Sequence, residues 1–409
     1  MKFEFDVALF LDNELKKLGV YREETITSDN FVIFNNEDLQ KITELTITGL
    51  ENIDFLKFLP NLKKLRLLSK DYSLVMEDGS YFDNPLFNNI SSYSVIENLT
   101  QLEELEIIND INIRELDFKN LTNLKKIKLS NNPNLSRLIN MGNMHYLKSV
   151  VMYGNPIKEF QNFEEYLANT LDAETNIVDV DAYLVNVKSV SDANKLYEKS
   201  ISGQINVQFA EKSGLFHYTT TYLSNLTELY IKLYRKLIRS KIFDKPVTDR
   251  IEYVYEYGLK IKFAEKELKE RQDLYDEILN KYNEIPDFYR KRLSFLHNSY
   301  STFHFNYGNC EGIVNLMHIM LSILGIESEN VHCHDRRYNY SIVNNHALLR
   351  IKTDGEWFYY DAVYNRNIRI YGQTYEQITD YFDMSKFEKQ KVDEKHNGQY
   401  NGTNTRKHR

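Results

Sequence analysis

The sequence predicts an α/β repeat solenoid followed by an α+β domain. Two observations predict this class: one apolar pattern returns at least five times between residues 40 and 160, and a helix followed by a strand hairpin is predicted between residues 310 and 361. The length of 409 residues agrees with this prediction, because a typical domain has roughly 100 to 200 residues and the chain is therefore long enough for two or three domains. With 42% hydrophobic residues, each part can bury a substantial core.

Composition argues against several classes of function. The chain has 51 Lys and Arg against 59 Asp and Glu, and this net charge of −8 argues against a general nucleic-acid binder. No window approaches 18 uninterrupted apolar residues, so we expect no membrane span. Glu4, Asp6 and Asp12 interrupt the first apolar run, which is atypical of a signal peptide and predicts a cytoplasmic protein, with export by another route left open. Two cysteines, Cys310 and Cys333, make no disulfide framework and fit a reducing compartment.

The repeat domain is predicted to cover residues 40–165, after an N-terminal cap region at 1–39. In it, apolar residues recur at relative positions 1, 4 and 6. The five sets are Ile42, Leu45, Ile47; Leu62, Leu65, Leu67; Leu102, Leu105, Ile107; Leu124, Ile127, Leu129; and Leu147, Val150, Met152. Their starts are separated by 20, 40, 22 and 23 residues. The spacing of 40 is explained if a long loop around residues 70 to 95 replaces or interrupts one unit.

Two asparagines complete the repeat pattern. Asn132 and Asn155 each lie three residues after the last apolar position of their set. The pattern resembles the leucine-rich repeat family, Leu-x-x-Leu-x-Leu-x-x-Asn, in which each unit of 20 to 29 residues gives one short strand. The resemblance covers roughly 120 residues.

The residues between positions 4 and 6 are predicted to face outward. In a strand, positions 4 and 6 point inward together, so the intervening residue lies on the concave surface of a solenoid. The candidate partner contacts are Thr46, Arg66, Glu106, Lys128 and Val151. A face of mixed charge favours a protein or peptide partner over nucleic acid. The alternative is that each is simply a solvated strand residue.

The rest of the chain falls into three predicted parts. Residues 166–222 are weakly patterned and are assigned as a connector, 223–385 as the second domain, and 386–409 as a disordered polar tail. The second domain opens with a helix whose apolar face is Leu223, Leu226, Tyr230, Leu233 and Leu237. Pro246 is predicted to start another helix that runs to roughly Leu279.

A buried helix is predicted directly after Cys310. Apolar residues follow at helical spacing, and Gly325 is placed to end the helix. These apolar residues are Ile313, Leu316, Met317, Met320, Leu321 and Leu324. Cys310 therefore lies at a helix N-terminus, where the dipole and unpaired N–H groups favour a thiolate, the nucleophilic form. The same N–H groups could hold an oxyanion.

A strand hairpin is predicted around Asp354-Gly355, between strand-like segments at 347–351 and 357–360. Closure by a two-residue turn pairs Thr353 with Glu356. The register then places His346 and Asp361 diagonally on one face, where the carboxylate could orient the imidazole. A three-residue loop would break this parity.

Cys310, His346 and Asp361 together form the Cys-His-Asp version of a catalytic triad for acyl transfer. In this hypothesis, His346 is the base and ion-pair partner of Cys310, and Asp361 holds the ring.

These motifs resemble the transglutaminase-like family of papain-type cysteine acyl-transfer enzymes. The family's Gly-x-Cys-x-Gly appears at 308–312 and its His-Ala at 346–347, and its Trp-Tyr-x-x-Asp pattern is matched by 357–361 with Phe358 in the place of the tyrosine. The spacings are 36 residues from cysteine to histidine and 15 from histidine to aspartate. Residues 248–263 resemble the helix with which the core of this family begins. The resemblance therefore covers about residues 225–385.

The resemblance implies a nucleophilic Cys310, a base at His346, an orienting Asp361 and no cofactor. The chain departs from the family at Leu348, where an aromatic residue is common, and at Val363-Tyr364, near the family's Thr-Trp. These departures affect the shape of the pocket and therefore the substrate.

An additional oxyanion donor is expected by analogy from the segment before the cysteine. The candidates His304, Tyr307 and Asn309 stay open.

A rival cluster, His332, Cys333 and His334, suggests zinc only weakly. On a strand the two histidines share a face while the cysteine points away, and no second Cys or His pair is nearby. We therefore predict no metal.

The sequence thus predicts a cysteine peptidase or amidase acting on a protein or peptide selected by the repeats. The alternatives are transglutaminase-type cross-linking or deamidation, and a catalytically inactive protein-binding scaffold. No nucleic-acid, membrane or cofactor partner is expected.

Overall fold

A computed structural model of the chain divides into two compact units, Met1–Ala182 and Tyr183–Arg409. The structure describes residues 2–20, 31–69, 73–75, 81–83, 88, 90–169, 175–202, 207–212, 218–263, 294–336, 345–363 and 369–385. The predicted disordered tail, 386–409, lies outside the described residues.

The first unit is built mainly from short strands. In chain order these are β1 (Lys2–Phe3), β2 (Val32–Ile33), β3 (Glu44–Thr48), β4 (Lys64–Leu68), β5 (Ser73–Val75), β6 (Tyr81–Asp83), β7 (Glu104–Ile108), β8 (Glu115–Asp117), β9 (Lys126–Ser130), β10 (Arg137–Ile139), β11 (Ser149–Tyr153), β12 (Glu159–Phe160) and β13 (Thr175–Asp179). Its α-helices are α1 (Phe5–Lys17), α2 (Asn36–Leu39) and α3 (Phe163–Asn169). The antiparallel pair β1–β2 and the first two helices occupy the predicted cap region.

Each of the five apolar sets gives one strand of a parallel sheet, as predicted. The neighbours run β3, β4, β7, β9 and β11. Positions 4 and 6 are buried in every set, as Leu65 and Leu67 illustrate. Strand β4 pairs directly with β7, so the 40-residue spacing is an insertion that interrupts the sequence but not the sheet. Within it β5 and β6 pair antiparallel, and half of the predicted loop lies outside the described residues.

The sheet continues with β13, which the sequence analysis placed in the connector. It pairs parallel with β11. Asp179 accepts the N–H groups of Gly154 and Asn155, each at 2.9 Å, while Asn155 Oδ1 lies 2.9 Å from Asn132 Nδ2. Asp179 follows Asn155 by 24 residues, close to the repeat spacing. An aspartate in place of the next asparagine was the signal for this strand.

Between the repeat strands, the chain returns through 3-10 helices and short strands. The 3-10 helices are Asp54–Phe58, Ile96–Asn98 and Met141–Asn143. Strands β8, β10 and β12 form a second parallel sheet.

The second unit combines helices with an antiparallel sheet. Its helices are α4 (Val180–Asn186, which spans the unit boundary), α5 (Val190–Ile201), α6 (Leu223–Arg239), α7 (Val247–Leu259), α8 (Ser299–Phe305), α9 (Cys310–Ile323) and α10 (Tyr375–Ile378). Its strands are β14 (Gln208–Lys212), β15 (Tyr218–Tyr222), β16 (Lys262–Phe263), β17 (Tyr307–Gly308), β18 (Ser328–Asp335), β19 (Asn345–Thr353), β20 (Glu356–Asp361), β21 (Ile370–Gln373) and β22 (Phe382–Asp383).

Two sequence-based helices can be compared with the structure. Helix α6 buries all five residues of its predicted apolar face. The helix predicted from Pro246 to roughly Leu279 starts correctly, with Pro246 as N-cap, but it ends at Leu259, so the prediction is wrong in extent. The chain there becomes β16, which pairs parallel with β17. The remainder, 264–279, lies outside the described residues.

The core of the second unit lies between α9 and a five-stranded sheet. The strand order is β21, β20, β19, β18, β22, and all pairings are antiparallel. Helix α9 packs against β18 and β19 and buries the six apolar residues that predicted it. Gly325, at φ +72°, follows its C-cap. No helix within the described ranges has the length and apolar character needed to cross a membrane.

Candidate active site

Cys310 is the first residue of α9 and is partly exposed. Asn309 is the N-cap, and its Oδ1 accepts the Gly312 N–H at 3.0 Å. The first N–H groups of a helix have no acceptor within the helix, and the N–H of Cys310 is one of these. The thiol therefore lies beside the positive end of the helix dipole.

The hairpin that carries His346 has the predicted two-residue turn. Thr353 pairs with Glu356, and the same register continues to Leu349 and Tyr360. Asp354 and Gly355 adopt φ values of +52° and +87°, the left-handed conformation that such a tight turn needs. The register prediction is confirmed over this stretch.

His346 and Asp361 are directly bonded, with 2.7 Å between Nε2 and Oδ2. The Asp361 side chain is fully buried and that of His346 is 9% exposed. The second carboxylate oxygen accepts the Val363 N–H at 2.7 Å, and the Tyr255 hydroxyl donates to the Asp361 carbonyl at 3.1 Å. Three groups therefore fix Asp361: the imidazole and the Val363 N–H bind its carboxylate, and the Tyr255 hydroxyl binds its backbone.

The imidazole of His346 also interacts with the thiol of Cys310. Because Nε2 is hydrogen-bonded to Asp361, Nδ1 is the ring nitrogen that is available to the thiol. Burial of the ring disfavours its charged form, but the charge and hydrogen bond of Asp361 and the contact with Cys310 outweigh burial and raise the pKa of His346 well above its ordinary value. The arrangement favours the imidazolium form of His346.

An aromatic residue that the sequence analysis did not single out covers the ring of His346. Phe382 on β22 stacks against it, with ring centroids 5.1 Å apart and planes 7° from parallel. Phe382 is fully buried. In the sequence Phe382 follows Tyr381 between Asp380 and Asp383, and this segment carries no chemical motif.

A second histidine next to the cysteine's helix was also missed. His297 ends the 3-10 helix Ser294–His297, and its Nδ1 bonds the Glu311 carboxylate. The Nδ2 of Asn309 lies 2.8 and 2.9 Å from the two ring nitrogens. His297 is 13 residues before Cys310 and belongs to no sequence motif.

The three candidate oxyanion donors lie in different surroundings. The exposed ring of His304 stacks on Tyr300 at 5.8 Å between centroids. The Tyr307 hydroxyl accepts from Lys262 at 3.3 Å. Among the three, Asn309 is the residue that caps the helix of the cysteine.

The rival metal cluster separates as the strand pattern predicted. His332 Nδ1 lies 3.8 Å from Glu311 Oε1, while Cys333 is buried among the apolar residues of the sheet, and burial raises the pKa of its thiol. In the described part of the chain, no group of three or more His, Cys, Asp or Glu side chains could hold a metal ion.

The structure also places two of the residues that depart from the family pattern. Leu348 is buried in the core of the sheet, and Val363 supplies the N–H that binds Asp361. Tyr364 lies outside the described residues.

The predicted partner contacts form one row across the repeat sheet. In register, these are Thr46, Arg66, Glu106, Lys128 and Val151. Glu106 pairs with Arg66 at 3.4 Å and with Lys128 at 2.8 Å. The charges of this row are therefore already paired with one another.

Comparison with known proteins gives partial likenesses. No family model and no curated protein matches the chain. Among solved structures, an internalin from Listeria monocytogenes is 23% identical, with a TM-score of 0.28, over 47% of this chain and 60% of that protein. A candidate cysteine protease from Cytophaga hutchinsonii is 16% identical, with a TM-score of 0.22, over 37% and 44%. A structure described as a TGase is 15% identical, with a TM-score of 0.23, over 44% and 49%. The chain spans less than two thirds of each of these proteins.

Proposed function

We propose that the second unit is a cysteine-dependent acyl-transfer enzyme, a peptidase or amidase. The observation that carries the proposal is the buried His346–Asp361 hydrogen bond at 2.7 Å. The same imidazole also interacts with the thiol of Cys310. A nucleophile, a base and a group that orients the base are the three parts that acyl transfer needs.

The first half of the reaction forms an acyl-enzyme. The Cys310 thiolate attacks the amide carbonyl carbon, a C–S bond forms, and the carbonyl π electrons move to oxygen. The Cys310 N–H at the start of α9 stabilises this oxyanion. As the C–N bond breaks, His346 gives its Nδ1 proton to the leaving amine.

The second half releases the acyl group. Water loses a proton to His346 and attacks the thioester carbonyl, after which the C–S bond breaks and the thiolate returns. Asp361 keeps the imidazole in one orientation through both halves. Water is the default acceptor, and for this reason we favour hydrolysis over transfer to an amine.

The proposed substrate is a protein or peptide, chosen by the outward row of the repeat sheet. This row alternates charges, with Arg66, Glu106 and Lys128 in succession. A polypeptide that carries both signs of charge could exchange these pairs for its own.

The rate of iodoacetamide labelling against pH, read by mass spectrometry, tests the proposed nucleophile. We expect Cys310 to label rapidly at neutral pH in the wild type and His346→Ala to slow it to the rate of an ordinary thiol. Cys333, which is 1% exposed, is the internal control. If wild-type Cys310 labels like an ordinary thiol, the proposal is wrong.

A peptide library incubated with and without dansylcadaverine then separates the acceptors. Cleaved peptides alone indicate hydrolysis, and dansylated peptides indicate transfer to an amine. Cys310→Ala should abolish both products. Turnover by Cys310→Ala would contradict the proposed mechanism.

A further inference from the structure

The segment that ends in His297 is fixed to the first turn of α9 by its backbone. The Asn309 N–H donates to the Leu296 carbonyl at 3.1 Å, and Asn315 Nδ2 donates to the His297 carbonyl at 3.0 Å. A Cβ at Gly312 would collide with the Leu296 carbonyl oxygen, so a glycine is needed at this close approach. The backbone contacts therefore fix this segment beside the first turn of α9.

The ring of His297 joins the two residues on either side of Cys310. Its Nδ1 bonds the Glu311 carboxylate, and Asn309 Nδ2 lies 2.8 Å from Nδ1 and 2.9 Å from Nε2. With the proton on Nδ1, Nδ1–H donates to Glu311, and Nε2 is then the ring nitrogen that can accept from Asn309. Asn309 Oδ1 in turn accepts the Gly312 N–H at 3.0 Å. These bonds make a continuous chain around the first turn.

Glu311, at one end of this hydrogen-bond network, is buried and therefore depends on its partners. The Glu311 side chain is 8% exposed, and a buried carboxylate is costly unless it is paired. His297 bonds one of its oxygens, and the other lies 3.8 Å from His332 Nδ1. Removal of His297 would leave Glu311 dependent on the more distant histidine.

We propose that His297 is a positioning residue for Cys310, which it holds through its two neighbours, Asn309 and Glu311. The inference rests on the proposed function, since it takes Cys310 as the nucleophile. Without His297 the first turn of α9 would loosen, and both the thiol and the N–H that receives the oxyanion would lose their fixed positions. Small misplacements of reacting groups can cost about 10²-fold in rate.

The test compares His297→Ala and His297→Gln with the wild type. Two rates are measured: iodoacetamide labelling of Cys310 at pH 7, and kcat/KM for a library peptide that the wild type cleaves. We expect His297→Ala to lower both by about tenfold or more. His297→Gln should stay within about threefold of the wild type, because its amide can donate to Glu311 and accept from Asn309. The matched control is His145→Ala, which removes an exposed histidine of the first unit and should change neither rate.

A double-mutant cycle checks that His297 acts through its neighbour. Glu311→Gln alone and the double variant His297→Ala/Glu311→Gln are measured in the same two assays. Residues of one hydrogen-bonded network are not additive. The double variant should therefore be little worse than His297→Ala alone. Additive losses would overturn the proposed route through Glu311.

Hydrogen exchange of the peptide that contains Gly312 gives a readout independent of activity. We expect faster exchange at this amide in His297→Ala than in the wild type, with His297→Gln between them. Unchanged labelling, turnover and exchange in His297→Ala would overturn the positioning role. If His297→Ala fails to fold, Glu311→Gln decides, because it removes the charge that His297 binds: labelling of Cys310 at the wild-type rate in that variant would overturn the positioning role. Ordinary wild-type labelling with altered exchange in the variants would reject the proposed function but not the contact network.

Discussion

Charged groups are used in opposite ways in the two units. On the repeat sheet, Glu106 lies between Arg66 and Lys128, and its side chain is 20% exposed while theirs are 54% and 43% exposed. In the second unit, Asp361 is fully buried and is bonded to one imidazole, that of His346. Water can replace a lost partner on the sheet but not in the buried pair. Substitutions should therefore be tolerated on the sheet and severe at the site.

The strongest way to test this contrast is Asp361→Asn. The amide keeps the shape of the carboxylate but removes the charge that orients His346 and raises its pKa. We expect kcat to fall by about 10²- to 10⁴-fold. Labelling of Cys310 at neutral pH should slow in parallel. Activity within about threefold of the wild type would show that His346 needs no charged partner.

Phe382 tests how much of the contrast depends on packing. The ring is fully buried and stacks on His346, so Phe382→Ala should lower the free energy of unfolding by about 3 to 5 kcal/mol. Phe382→Leu keeps most of the volume and should cost less, about 1 to 2 kcal/mol, while still slowing Cys310 labelling. Urea unfolding and labelling rates measure the two effects. Unchanged labelling in a folded Phe382→Leu would mean that stacking does not position the ring.

A buried carboxylate outside the site extends the comparison. Burial raises the pKa of Glu211 to about 7, although it accepts the N–H and hydroxyl of Ser299 at 2.7 and 2.9 Å and faces His318. The ordinary value is 4.5, so the folded chain binds its proton more tightly than the unfolded chain. Its stabilising contribution is complete below pH 4.5 and is lost as the pH rises through about 7.

Glu211→Gln should remove this pH dependence. Between pH 5 and pH 8 the wild type should lose up to about 3 kcal/mol relative to the variant. Urea unfolding of both proteins at several pH values measures the difference. Parallel stability curves would show that Glu211 is ionised in the folded chain throughout this range.

The smallest effect is expected on the repeat sheet. Glu106→Ala removes the partner of both Arg66 and Lys128, yet exposed ion pairs contribute at most about 1 kcal/mol. We expect a decrease of this size or less in urea unfolding, smaller still at high salt. Peptide turnover measured alongside tests the proposed role in selection. A loss of several kcal/mol would remove the contrast between the two units.

The parts of the fold that could be predicted are those fixed by local rules. The period of the apolar sets predicted five parallel strands, and the turn at Asp354-Gly355 determined the register that brings His346 to Asp361. Strand β13 was missed because Asn176 lies opposite Val150, where the other sets have an apolar residue, and because Asp179 replaces the expected asparagine. The contacts of His297 and Phe382 depend on packing between distant segments, which no local pattern records.

The 40-residue spacing between the sets of β4 and β7 has a consequence for the order of folding. These strands are neighbours in the sheet, but the chain must close a longer loop to join them than to join β7, β9 and β11, whose sets start 22 and 23 residues apart. Closure across the longer loop costs about 0.5 kcal/mol more in chain entropy. Repeat arrays can nucleate at any unit and then propagate. We therefore expect the array to nucleate around β7, β9 and β11, and β4 and β3 to join a sheet that has already formed.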